Sequence, residues 1–144
     1  MVEAVQPGRS ATPWHLWAVG TVSVLWNAIG CYDFTFTNLR DPAYLAAVPP
    51  EIIQMIDGFP VWAIAAWAAG VWGAMAGSLL LLLRSGFAVH AFGASLIGLA
   101  GTTVYRFGLA GENISQDPVH FAIWAIAVLL LIYAWRMRAR RVLV

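Results

Sequence analysis

Residues 60–86 read PVWAIAAWAAGVWGAMAGSLLLLLRSG, a charge-free apolar run over 60–83 closed by Arg84-Ser85-Gly86. A helix that crosses the hydrocarbon core of a bilayer needs about 20 consecutive apolar residues, and this run is long enough. Arg84-Ser85-Gly86 ends one helix and starts the next. A second long apolar run follows at once, FAVHAFGASLIGLAGTTVYRFGL over 87–109. So short a turn makes the two helices antiparallel neighbours.

Outward from this hairpin lie two more runs of spanning length, 14–36 before it and 119–135 after it. The predicted fold is all-α: an integral membrane four-helix bundle, spans 14–36, 60–83, 87–109 and 119–135. Residues 1–13 form an N-terminal tail and 136–144 a basic tail. The composition agrees. Of 144 residues, 61% are hydrophobic and 10% charged, against roughly 45–50% apolar and about 25% charged in soluble domains. A soluble domain, a disordered chain and a nucleic-acid binder are therefore excluded, and a net charge of +1 attracts no polyanion. The one cysteine, Cys31, leaves no intrachain disulfide and no CxxC pair. The first run is read as a retained span, not a signal peptide: it continues to Phe36 and has no small-residue cleavage site.

The first connection, 37–59, carries structure of its own. Asp41-Pro42 is an N-cap followed by proline at the first helical position, which predicts a short helix over 42–48. Pro49-Pro50-Glu51 starts another, with Ile52, Ile53, Met55 and Ile56 as its apolar face, and Gly58 ends it. Such short amphipathic helices lie at a membrane surface or cap a bundle.

Orientation follows from the arginines. With four spans, Arg9, Arg84, Arg136, Arg138, Arg140 and Arg141 fall on one side. Asp33, Asp41, Glu51, Asp57, Glu112 and Asp117 fall on the other, with Arg40 and Arg106. The arginine-rich side is cytoplasmic, so both termini are inside and 37–59 faces out. Trp14, Trp17 and Trp135 suit the inner interface, Trp62 and Trp124 the outer.

Small residues mark the packing faces. Gly70, Gly73 and Gly77 recur along the second span, and Gly93, Gly98 and Gly101 along the third. Small side chains let helix backbones approach closely where lipid supplies no hydrophobic drive. The hairpin directs these faces at each other, and dimerisation through the stripe is the alternative.

Polar groups inside a span are costly and are candidates for function. The first span carries Asn27 near its centre, then Tyr32 and Asp33. The third carries Tyr105 and Arg106. At 1.5 Å per residue, Asp33 lies about 13 Å outward of the midplane, and Arg106 at a similar depth. Both helices run in the same direction, so an Asp33–Arg106 ion pair is expected. Asn27, Tyr32, Asp33, Tyr105 and Arg106 then form either a helix-locking cluster or the polar part of a ligand pocket. His15 and His90 sit too near the inner ends of their spans to hold haem. His120 follows Asp117 by three residues, a spacing for a metal or for simple capping, and capping by Asp117 is the reading adopted. No H-E-x-x-H, G-x-S-x-G, Walker or dinucleotide motif occurs. No enzyme, cofactor or metal site is expected.

The segments Trp26-Asn-Ala-Ile-Gly-Cys-Tyr-Asp33, Arg40-Asp-Pro-Ala-Tyr-Leu45, Gly58-Phe-Pro-Val-Trp62, the run from Trp67 to Leu83 and Tyr105-Arg-Phe-Gly108 also carry a resemblance. The chain resembles, from about Trp14 to Gly111, a family of small four-span proteobacterial inner-membrane proteins often labelled "sugar transporter". The resemblance implies a bacterial inner-membrane location and a transport role. The functional expectation is a transporter or solute-binding membrane protein acting as an oligomer, since four helices leave little room for a path. The alternative is a non-catalytic accessory subunit of a larger membrane complex. Its partners would be the lipid bilayer, further copies or a complex, and no nucleic acid.

Overall fold

The computed structural model describes residues 11–112 and 118–144, and these are helical with no strand among them. Arg9 and Asp117 lie outside the described residues. Helix α1 is Trp14–Asn38, α2 Pro42–Leu45, α3 Pro50–Asp57, α4 Val61–Leu82, α5 Ala88–Thr103 and α6 Pro118–Ala139. A π-helical segment, Val104–Leu109, continues α5.

Three helices are long and apolar enough to cross a membrane: Val61–Leu82, Ala88–Leu109 and Pro118–Ala139, each of 22 residues. Helix α1 has the length, 25 residues, but His15, Asn27 and Asp33 lower its hydropathy. The outward faces are largely apolar. Leu25 and Ile29 of α1, Ile97 of α5 and Leu129 of α6 are all exposed. Contiguous apolar surface of this extent is rare on soluble monomers.

The helix ends explain the element bounds. Arg40, Arg84 and Arg141 all have positive φ, at 55°, 58° and 57°. Each follows a helix as the left-handed residue that closes it. At the end of α1 the Asp41 amide donates to Phe36 O at 3.1 Å and the Arg40 amide to Thr37 O at 3.2 Å. The same paired closure joins Ser85 to Leu80 and Arg84 to Leu81, then Val142 to Met137 and Arg141 to Arg138. Glycine is the usual residue here; arginine accepts the backbone cost and places a cation where carbonyls of the last turn are exposed. Helix α6 runs past the expected 135, and Arg136 and Arg138 in its last turn favour that extension. The helix expected over 42–48 is shorter, closing at Leu45, although its cap forms as read: Asp41 Oδ1 accepts from the Tyr44 amide at 2.8 Å.

The long helices pack in a row, α1 on α4, α4 on α5 and α5 on α6. The α4–α5 contact is the closest. A methyl group on Gly98 would lie 2.5 Å from both Ala66 O and Gly70 N, and one on Gly77 would meet the Phe92 ring at 2.7 Å. Gly70, Gly73 and Gly101 face the same seam, whereas Gly93 has nothing within 4 Å and takes no part in it. The glycine stripe is thus used within the chain.

One end of the row is solid. Leu16, Leu81, Ala88, Phe92, Leu130, Ala134 and Met137 form its core, joined by Val142 and Leu143. Residues 142–144 are therefore not a free basic tail. The Gly86 amide donates to Val144 O at 2.9 Å and the Val144 amide to Arg84 O at 3.0 Å. The other end is hollow, and α2 and α3 lie across it.

Candidate functional site: a capped cavity between the helices

The hollow end holds a half-open cavity of about 660 Å³. All four long helices line it, and α2 and α3 contribute Tyr44, Ile52, Met55 and Ile56 to its roof. Small residues make the space: Gly30 on α1, Gly70 and Ala74 on α4, Ala127 on α6. The walls are mostly apolar, with Trp26, Phe59, Trp67, Leu99 and Ile123 among them. A few polar side chains converge on it, among them Asn27, Asp33, Thr37, Ser95, Arg106 and His120. Concave, largely apolar volume with few placed polar groups is the usual form of a small-molecule site.

Asn27 joins α1 to α4. Its Nδ2 donates to Ser78 Oγ at 2.9 Å and Ala74 O at 3.3 Å, while Ser78 donates back to Ala74 O. On the opposite wall Ser95 Oγ donates to Gly70 O at 2.6 Å, tying α5 to α4. Trp124 Nε1 points between Thr103 Oγ1 and His120 Nε2, 3.1 Å from each. That contact joins α6 to α5, with the buried His120 ring edge-on to Phe107.

The expected Asp33–Arg106 ion pair does not form. Asp33 Oδ1 accepts from the Tyr44 hydroxyl at 2.5 Å. Arg106 instead binds Glu112 Oε2 through Nε at 3.0 Å and Nη2 at 2.7 Å. The π segment is the physical reason. Its wider turns redirect the helix end, closing with the Ala110 amide on Tyr105 O at 2.8 Å and the Glu112 amide on Arg106 O at 3.0 Å. Glu112 is thereby folded back onto the guanidinium. The hydrogen bond to the Asp33 carboxylate holds the Tyr44 hydroxyl protonated, pushing its pKa up to about 12.

The five polar residues read from the sequence are not one cluster. Asn27, Asp33 and Arg106 line the cavity, and Tyr32 and Tyr105 do not. Tyr32 is exposed, packed at a tilt on Phe36 and edge-on to Tyr44. Tyr105 donates to Gly58 O at 2.5 Å and packs on Phe59, fastening the end of α3 to the π segment. An exposed Arg40–Asp57 ion pair fastens the same helix to the end of α1. Sequence reasoning missed Tyr44 as the partner of Asp33. Its signal was present: the third residue after the Asp41 cap is an aromatic donor, and a one-turn helix after Pro42 aims it back at α1. His15 is bonded to Tyr133 across the α1–α6 seam at the solid end, and no group of metal-binding side chains occurs among the described residues.

No protein-family model matches this chain, and no curated protein or solved structure matches it.

Proposed function

We propose that this chain is a four-span bacterial inner-membrane protein that binds a small, largely apolar solute in the cavity and acts in its transport as an oligomer. Helix α1 is the fourth span in this reading, both termini are cytoplasmic and the α2–α3 roof faces outward. The likeness to small four-span proteobacterial proteins and the arginine distribution support this placement. The observation that carries the reading is the 660 Å³ cavity, walled by all four long helices and roofed by two short ones. The solid end, with Leu16, Phe92 and Leu143 at its core, closes the opposite side of one chain. Passage would then need rearrangement or a second copy, as paired halves supply in larger carriers. The wall chemistry argues against a sugar. Each sugar hydroxyl buried without a partner costs on the order of 1–3 kcal/mol, and most of the lining offers none. The alternative, an accessory subunit, drew in part on the glycine stripe, and that stripe is occupied within the chain.

The test uses the uncharged fluorophore N-phenyl-1-naphthylamine with purified full-length protein in dodecyl maltoside. Wild type is expected to bind it saturably, with energy transfer from Trp26 and Trp67. The double variant Ala74→Phe/Ala127→Phe fills the space from two walls. It is expected to bind at least about tenfold more weakly, a loss of about 1.4 kcal/mol. Equal binding by both proteins, or no saturable binding by wild type, overturns the reading.

A further inference from the structure

We infer that the cavity accepts an amphiphilic organic cation, with its charged head against Asp33 and its apolar body along the seam between α1 and α6. This rests on the binding reading above and specifies its ligand class.

Charge comes first. Two of the described acids have ionic partners, Asp57 with Arg40 and Glu112 with Arg106. Asp33 makes no ion pair among the described residues, although it is half-buried in the wall of an apolar cavity. Among the described residues it accepts a hydrogen bond from Tyr44. An ionised carboxylate has roughly four acceptor sites, so capacity remains on the cavity side. Arg106, the arginine of the lining, is neutralised by Glu112 and offers no anchor for an anion. Among the described residues the wall therefore carries one carboxylate, that of Asp33, without a cationic partner.

The aromatic wall agrees in sign. Trp26, Tyr44, Phe59 and Trp67 all line the same space. Ring faces attract cations, more strongly when water is excluded. Phe34 stands edge-on to Trp67 at 5.0 Å and Tyr32 edge-on to Tyr44 at 5.5 Å, which fixes two of these rings.

The seam supplies the apolar part. Helices α1 and α6 are the two ends of the packed row, and each packs chiefly on another helix. A second hollow of about 370 Å³ lies between them, lined by α1 from Ala18 to Trp26 and by Ile126 and Leu130 of α6. Trp26 and Ile126 line both spaces, so the two adjoin at these side chains along the seam. The lower hollow has almost no polar group in its wall; Ser23, its one hydroxyl, is spent on Gly20 O at 2.9 Å. A hydrocarbon tail or aromatic body entering sideways from the bilayer would rest there while its head reached Asp33.

The experiment compares tetraphenylphosphonium with tetraphenylborate, ions of matched size and opposite charge, by equilibrium dialysis against the full chain in dodecyl maltoside. The phosphonium is expected to bind saturably and at least about tenfold tighter than the borate, the scale of a desolvated charge-assisted contact. Asp33→Asn is expected to remove that preference, and Asp57→Asn, outside the cavity, to keep it. Tyr44→Phe retains the carboxylate and frees its oxygen, so it is expected to bind the phosphonium at least as well as wild type. That variant and the wild-type charge preference decide the matter if Asp33→Asn does not fold. Equal binding of the two ions, or wild-type phosphonium affinity in Asp33→Asn, overturns the inference. If the uncharged naphthylamine still binds saturably in that case, the cavity reading survives. If it does not, both fail.

Discussion

Gly98→Val is expected to prevent assembly of the helix row. A side chain at position 98 has no direction of escape, because its first carbon would already lie 2.5 Å from Ala66 O and Gly70 N and 3.0 Å from Ala69 C. These are backbone atoms of α4, not flexible side-chain ends, so α4 and α5 would have to separate. Separation would pull Ser95 Oγ from Gly70 O and move both helices that wall the cavity. Overpacking a tight interior costs about 1–3 kcal/mol and at times more, and a branched residue at this contact belongs at the upper end. The expected result is loss of the monodisperse peak in detergent size-exclusion chromatography. Gly93→Ala provides the contrast. Nothing lies within 4 Å of that position, and replacing a mid-helix glycine with alanine gains about 0.5–1 kcal/mol. A slightly raised melting temperature is expected there, and a Gly98→Val protein that melts like wild type would refute the packing account.

Leu143→Asp is expected to produce the second large loss. Leu143 is 2% exposed, within the core formed with Leu16, Phe92 and Met137. Truncation to alanine would cost about 2–5 kcal/mol through the cavity it leaves. A carboxylate at this position adds the penalty of an unpaired buried charge, so a total above about 3 kcal/mol is expected. Val144, next along, is 55% exposed. It serves through its backbone, and Val144→Ala should stay within about 0.5 kcal/mol of wild type. Thermal melting followed by tryptophan fluorescence separates the cases. Leu143→Asp melting within a few degrees of wild type would mean that residues 142–144 are not part of the core.

Much of the fold was legible where local rules act without long-range help. Hydropathy and a three-residue turn fix α4 and α5 as a hairpin, and Asp41-Pro42 announces α2 through its cap. The site was legible only in part. Asn27 and Asp33 stand out as polar residues in an apolar run, and both line the cavity. Pairing Asp33 with Arg106 assumed a regular helix through residue 106. The π segment breaks that register, and Thr102 and Thr103, which bond back to Leu99 O, give no unambiguous warning of it. The cavity itself is missing volume between helices. Gly70, Ala74 and Ala127 permit it, but the same small residues in another orientation would permit close packing. The seating of Val142 and Leu143 was hidden by the arginines before them, which read as a solvated tail.

The order of the row also sets a route of assembly. Each long helix packs on the long helix next to it in sequence, from α1 to α4, α5 and α6. Such topologies have short contact separations and form quickly, one element accreting on the last. A contact of a different kind is the closure of residues 142–144 on the α4–α5 turn, which spans 58 positions from Arg84 to Val142. That closure cannot precede the docking of α6. In pulsed hydrogen exchange during refolding, the amides of Gly86 and Val144 should therefore gain protection after those of α4 and α5. Simultaneous protection would instead mean that the whole row condenses in one step.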